Sequence, residues 1–261
     1  MIAVKQIGYD HISRGQNLQD HFISLPGIKL VLDGCGSCKY SEAGVLLFAK
    51  MFEKCFVDVQ AFSGGTAKIN PENFETYVDL IFRKLVALGE SVVPVHDHEA
   101  ERKFLRDYLN FTIVACFEQD TEWVVMSCGD GYVLLRTKDD LMIENLDPGS
   151  NSSVGESACA TTYWAYNYCL QPATLISEYG GAVRFTKRYY DKATYGCVGV
   201  ATDGFRYVEN FSATDRKVFL TALYLNRADV TRRYLQHGVI KIDPEDQDWK
   251  PVLLDDLAIV F

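Results

Sequence analysis

Ile28-Lys29-Leu30-Val31-Leu32-Asp33-Gly34 sets how the rest of the chain is read. The run is short, apolar and partly β-branched, which suits a strand, and it ends on a carboxylate followed by glycine. Residues 41–56 follow with apolar side chains at helical spacing and Ser41 as a plausible N-cap. The strand pattern returns at residues 111–117, 123–127, 132–136, 196–202 and 257–261, all rich in Val, Ile and aromatics. Asp130-Gly131, between two of these runs, has the composition of a tight hairpin. Helical stripes lie between them. Asn70-Pro71 reads as a helix start; Phe74, Tyr77, Val78, Ile81, Leu85 and Leu88 form the apolar face, and Gly89 reads as its end. Residues 99–109, 214–225 and 228–236 are further helices. Hairpin-like strands with long helices between them argue for an α+β layered fold rather than alternating parallel units. No internal repeat or linker divides the chain, and residues 147–153, Asp-Pro-Gly-Ser-Asn-Ser-Ser, read as a surface loop.

The bulk numbers exclude several classes. With 261 residues, 48% of them apolar and 23% charged, the chain has the composition of a globular protein with a substantial core. A net charge of −9 and no Lys/Arg block argue against a nucleic-acid partner. An acidic surface repels phosphorylated polyanions at long range, so any phosphate site needs local cations, from Arg, Lys or metal. The apolar runs are too short to span a bilayer, and Met1–Gln6 lacks the apolar stretch of a signal peptide. Eight scattered cysteines then read as reduced thiols of a cytoplasmic protein.

One pattern recurs along the sequence. An apolar strand ends in an acidic residue, usually with glycine after it: Asp33-Gly34, Gly129-Asp130-Gly131, Asp203-Gly204 and Asp255-Asp256. Each alone is ordinary turn chemistry. As a set they point further, because strand ends on one rim of a sheet converge. Carboxylates gathered there repel one another unless hard cations with oxygen ligands hold them together.

The order and spacing of these segments resemble the metal-dependent protein phosphatases of type 2C, in a bacterial branch. The opening Gly8-Tyr9-Asp10-His11, running on to Gln19-Asp20, is similar to that branch's Gly-x-x-His … Gln-Asp start. Asp33-Gly34-Cys35-Gly36-Ser37 resembles its Asp-Gly-x-Gly-Ser motif. Gly129-Asp130-Gly131, Asp203-Gly204-Phe205 and Asp255-Asp256-Leu257 resemble the later motifs in order. The resemblance spans essentially the whole chain. It implies a single domain over residues 1–261, because the first and last motifs feed one site. It also implies a four-layer α/β/β/α sandwich of two antiparallel sheets face to face, with helices outside.

Carried over residue by residue, the resemblance makes Asp20, Asp33, Asp203 and Asp255 ligands of a two-ion centre. The Gly34 carbonyl joins them, and Asp130 helps to hold a third, weaker ion. Such oxygen ligands suit Mn²⁺ or Mg²⁺. The implied activity is hydrolysis of phosphoserine and phosphothreonine by a metal-activated water, with no Cys or Ser nucleophile. The implied partners are a phosphorylated protein and a cognate Ser/Thr kinase or its targets. His11 is the candidate general acid or phosphate contact, with a structural hydrogen bond as the plainer alternative. Two departures stand out. Where the family often carries a phosphate-gripping Arg, this chain has Gly15; Arg14, one residue further away, is the candidate catalytic residue and phosphate contact, and Gln19 replaces an acidic neighbour. They keep open a second class, a catalytically inactive pseudo-phosphatase that binds phosphoproteins.

Other signals are weaker. Cys35-Gly36-Ser37-Cys38 has redox-pair spacing, but it overlaps the Asp-Gly motif and no second pair supports zinc. His96-Asp97-His98-Glu99 reads as a polar loop and helix start with Asp97 as N-cap. Tyr163, Trp164, Tyr166 and Tyr168 read as core or strand residues, and Arg216, Arg227, Arg232 and Arg233 as solvated helix faces.

Overall fold

The computed structural model describes residues 1–64, 68–93, 98–146, 162–239, 241–242, 249–250 and 252–261. Its strands are β1 (Ala3–Gln6), β2 (His21–Leu25), β3 (Ile28–Gly34), β4 (Phe111–Glu118), β5 (Glu122–Cys128), β6 (Tyr132–Arg136), β7 (Leu141–Asn145), β8 (Thr186–Asp191), β9 (Cys197–Ala201), β10 (Lys241–Ile242), β11 (Trp249–Lys250) and β12 (Leu257–Val260). Its helices are α1 (Tyr9–Arg14), α2 (Ser41–Phe62), α3 (Phe74–Val92), α4 (His98–Leu109), α5 (Tyr166–Cys169), α6 (Pro172–Tyr179), α7 (Ala213–Tyr224) and α8 (Ala228–Val239), with a 3₁₀ helix at Asp203–Asn210.

Two five-stranded sheets carry the architecture, in the orders β2-β3-β4-β5-β8 and β1-β12-β9-β6-β7. All their pairings are antiparallel. Alternation along a strand shows how the layers stack, since neighbouring side chains point to opposite faces. On β3, Leu30 and Leu32 join the core beneath α2 and α3, while Val31 turns toward the other sheet. On β4, Ile113, Ala115 and Phe117 share that first core, and Val114 and Cys116 turn inward between the sheets. On β12, Ala258 and Val260 meet them from the second sheet, and Leu257 and Ile259 face Phe219 and Leu223 of α7 and Leu235 of α8. The result is helix, sheet, sheet, helix, as the resemblance implies. Aromatic rings fill the first helical layer: Phe82 lies 5.6 Å from Phe48 and 5.4 Å from Phe111, all three fully buried.

Several local expectations change. The Asp130-Gly131 turn is not a hairpin, because β5 belongs to one sheet and β6 to the other. Gly129 (φ 99°) and Gly131 (φ 144°) take backbone angles that side-chain-bearing residues avoid, and so pass the chain between sheets. Helix α3 begins at Phe74 rather than at Pro71. Asn70 and Asn73 hold the preceding turn by reciprocal bonds, each side-chain Oδ1 accepting from the other's N–H at 2.8 and 3.1 Å. Gly89 does not end α3, which continues to Val92. A Cβ there would meet the Phe104 ring at 2.4 Å, so the glycine admits α4 against α3. Helix α2 runs on to Phe62, and α4 begins at His98. The 147–153 loop and the His96-Asp97 cap lie outside the described residues.

Candidate metal centre

Each acidic residue is placed by the end of a strand. Asp33 is the penultimate residue of β3 and pairs in register with Thr112 of β4. Asp20 directly precedes β2, Asp203 opens the 3₁₀ helix after β9, Asp255 stands just before β12, and Asp130 lies between β5 and β6. Antiparallel pairing puts these ends on one rim. Asp33, Gly34, Asp130, Asp203 and Asp255 line one cavity of about 120 Å³, together with Cys35, Gly36, Thr112 and Tyr163. Asp20 is buried behind it, and the Thr202 hydroxyl donates to its Oδ2 at 2.5 Å. Asp33 hydrogen-bonds both Asp20 and Asp203.

Crowding governs the electrostatics. Burial holds the Asp33 carboxyl well above the usual carboxylate range, and the charges of Asp20, Asp203 and Asp130 push the same way. Asp20 is raised by burial and then by Asp256. Asp203 is pushed up to about 6 by burial, against the pull of Arg206. Among the described residues no three His, Cys, Asp or Glu side chains yet surround a single point as metal ligands do. Arg206 brings a cation to the cluster: its Nη2 lies 3.1 Å from Asp203 Oδ2 and 3.6 Å from Asp255 Oδ2. The donor set nevertheless fits a hard divalent ion, being all oxygen and clustered around a polar cavity. Gln19 adds a second sign. Its Oε1 is buried without a hydrogen-bond partner, and a Cβ on the cavity-lining Gly36 would lie 3.7 Å from it. A buried acceptor left so calls for an ordered water or an ion's water.

The sequence reading passed over the residue that assembles this rim. Asp256 is 1% exposed and accepts from Gly8 N–H at 2.8 Å and Gln19 N–H at 2.5 Å, with His11 Nδ1 at 2.8 Å from its Oδ2. It therefore ties α1 and the Gln19-Asp20 segment to the start of β12. Gly8 must be glycine there, since a Cβ would sit 2.3 Å from the Asp255 carbonyl carbon. The Asp255-Asp256 doublet was visible in the sequence; which of the two turned inward was not. His11 is buried, with Nε2 3.8 Å from Asp255 Oδ1, and Asp256 beside it raises its pKa. Arg14 is exposed at the last turn of α1 and does not line the cavity. Arg206 lay in no strand-end pattern, and only the fold reveals it. Trp164 and Tyr168 belong to the core, packing 5.1 Å from Phe185 and 6.0 Å from Phe82, but on a turn and α5 rather than a strand. Tyr163 instead lines the cavity.

A family model described as protein phosphatase 2C matches residues 7–236. The chain belongs to the protein phosphatase 2C family. Solved members of similar fold include a bacterial serine phosphatase, 11% identical, with TM-score 0.55 and coverage of 98% of this chain and 94% of that one. The catalytic domain of the serine/threonine phosphatase PstP, in complex with two manganese ions, matches with TM-score 0.56, 11% identity and the same coverage. The phosphatase Stp1 from Staphylococcus aureus matches with TM-score 0.52 and 10% identity over 98% of this chain and 91% of that one. At such identity these likenesses establish the fold, and they agree with the two facing sheets of the 2C architecture. Comparison with curated protein sequences finds no match. Among the described residues no helix is long and apolar enough to cross a membrane.

Proposed function

We propose that this protein is a metal-dependent serine/threonine protein phosphatase acting as one domain on phosphorylated proteins, with a cognate kinase or its targets as partners. The observation that carries this reading is convergence. Asp33, Asp130, Asp203 and Asp255 come from four separate stretches of sequence and line one small polar cavity. Asp20, Asp33, Asp203 and Asp255, with the Gly34 carbonyl, would hold two Mn²⁺ or Mg²⁺ ions, and Asp130 would help with a third. The ions, when bound, supply a water of lowered pKa and offset the charge on the phosphoryl oxygens.

The chain's own residues do the rest. Asp256 lies against the His11 ring and raises its pKa, and its Nε2, facing Asp255, is the proton donor we assign to the departing seryl or threonyl oxygen. Arg206 stands at the carboxylates with about half of its side chain exposed. With Asp203 and Asp255 engaged as metal ligands, the guanidinium would be free to grip the substrate phosphate. Arg14, the residue suggested by motif position, is the other candidate. In steady-state assays Arg206→Ala is expected to raise KM about tenfold, roughly the effect of one lost charge-assisted contact, and Arg14→Ala to change it less. The reverse order would move the phosphate grip to α1.

The same carboxylates are also compatible with a phosphoprotein-binding pseudo-phosphatase, a reading favoured by Arg206 already neutralising two of them. Phosphate release from a phosphothreonine peptide, measured with Mn²⁺ and with excess chelator, separates the two. Turnover present with Mn²⁺ and lost with chelator is expected. Melting temperature is read in the same samples, where saturation at a hundred times Kd contributes about 2.7 kcal/mol. A rise in melting temperature without turnover would favour the binding module, and turnover in chelator would remove the metal from the account. We place the protein in the cytoplasm, the reading its scattered cysteines give in the sequence.

A further inference from the structure

The turn that leaves β3 carries the Gly34 carbonyl and, next to it, two cysteines. Cys35 and Cys38 stand at the first and last positions of one turn, where each thiol shifts the other's pKa. The backbone dictates this placement. Cys38 N–H donates to the Cys35 carbonyl at 2.9 Å, closing residues 35–38 into one turn that puts the first and last side chains together. Two more bonds pin the turn: Cys35 N–H donates to the Asn110 carbonyl at 3.1 Å, and the Ser41 hydroxyl donates to the Cys35 carbonyl at 3.1 Å. The Cys35 sulfur lies 3.1 Å from Ser37 Oγ and shares the cavity wall with Tyr163. Cys35 lines the acidic cavity, so a small oxidant reaches it from the side the substrate would use, and Cys38 is likewise only half-buried.

We propose that a peroxide converts Cys35 and Cys38 into a reversible disulfide, and that this bond displaces the turn bearing the Gly34 carbonyl and weakens divalent-metal binding. The bond itself is independent of the phosphatase reading; only its consequence rests on the metal centre. In the first step the Cys35 sulfur attacks one peroxide oxygen, the O–O bond breaks, and a sulfenic acid and one water are formed. In the second, the Cys38 sulfur attacks the Cys35 sulfur and displaces the hydroxyl, which leaves as a second water with the Cys38 proton. Two thiols lose two electrons, and the peroxide gains them. A thiol reductant returns both thiols by exchange. Closing the sulfurs to bonding distance takes Cys35 away from Ser37 and Tyr163, and the strain falls on the last residue of β3, Gly34, which directly precedes the disulfide.

The test uses the full chain, stripped of metal and treated with hydrogen peroxide; remaining thiols are then alkylated and mapped by mass spectrometry, and Mn²⁺ affinity is read by calorimetry. The expected map shows the 35–38 peptide two hydrogens lighter and unalkylated, reverting with dithiothreitol. Cys55, half-buried on α2, should stay alkylated. Mn²⁺ binding should weaken about tenfold on oxidation, in the range seen when a ligand's support is disturbed, and recover on reduction. Cys38→Ser should bind Mn²⁺ as the reduced wild type does and, after peroxide, give a dimedone-trapped Cys35 with no disulfide. Alkylated Cys35 and Cys38 in protein whose Cys55 has been oxidised would overturn the proposal, as would a disulfide that leaves Mn²⁺ affinity unchanged. Reduced protein that binds no Mn²⁺ would overturn the metal-centre reading, and the mass map would still decide whether the bond forms.

Discussion

Asp33→Asn is expected to lower turnover of a phosphothreonine peptide by about a thousandfold while raising the melting temperature of the metal-free protein. The first effect follows from position. Asp33 is the neighbour that Asp20 and Asp203 share, so in the proposed centre it would be the ligand common to the cations. Losing one charged bridging ligand removes several kcal/mol of charge stabilisation, and about 4 kcal/mol is a factor of roughly a thousand. The second effect has the opposite sign because, without metal, the cluster is a site of repulsion. Burial and neighbouring carboxylates hold Asp33 above the usual range, and an amide of the same shape offers N–H donors to those carboxylates without adding charge. Kinetics and a thermal melt in chelator check the two halves. Asp229→Asn, on the exposed start of α8, is the control and should move neither. Turnover within tenfold of wild type would remove Asp33 from the chemistry, and a lower metal-free melting temperature would show that its charge stabilises the fold.

Gly44→Ala tests the packing that holds the cavity's outer wall in place. Helix α2 crosses the end of α4 so closely at this point that a Cβ on residue 44 would lie 1.6 Å from the Tyr108 carbonyl oxygen. That neighbour is backbone and cannot rotate away. It belongs to the segment that holds the turn after β3, through the Asp107 carbonyl bonded to Tyr40 N–H and the Asn110 carbonyl bonded to Cys35 N–H. One methyl group should therefore cost about 3 kcal/mol, the upper part of the overpacking range, or about 10 °C of melting temperature in a chain of this size. Gly196→Ala has open space around the new methyl and should stay within about 0.5 kcal/mol of wild type. Chemical denaturation of both variants gives the comparison. Equal stabilities would mean that the α2–α4 crossing is looser than described.

What the sequence disclosed and what it withheld follow a physical line. The strands legible from apolar runs are β3, β4, β5, β6, β9 and β12, and these are the interior strands of the two sheets. β1, β2, β7 and β8 escaped notice, and they are the four edges. An edge strand needs no continuous apolar run; β8 reads Thr-Lys-Arg-Tyr-Tyr-Asp, with charged side chains that discourage further pairing. Gly89 misled because glycine marks both helix ends and close helix crossings, and only the position of Phe104 tells which. Asp130-Gly131 misled for a similar reason, since turn composition does not say whether the flanking strands share a sheet. In the candidate site Asp33, Asp130, Asp203 and Asp255 were readable because each sits beside an apolar run, whereas Asp20 came only through the family resemblance. Asp256, Thr202 and Arg206 were not, because their roles depend on which rim faces which, and that is fixed only when β12 pairs with β1 and β9.

The most direct test of the account is an anomalous-scattering map from a crystal of the protein soaked in Mn²⁺. The account places manganese peaks in the cavity between Asp33, Asp203 and Asp255, with Asp20 and the Gly34 carbonyl in reach and Arg206 swung away from the carboxylates. A map with no peak at that rim, or with manganese held only elsewhere on the molecule, would contradict it.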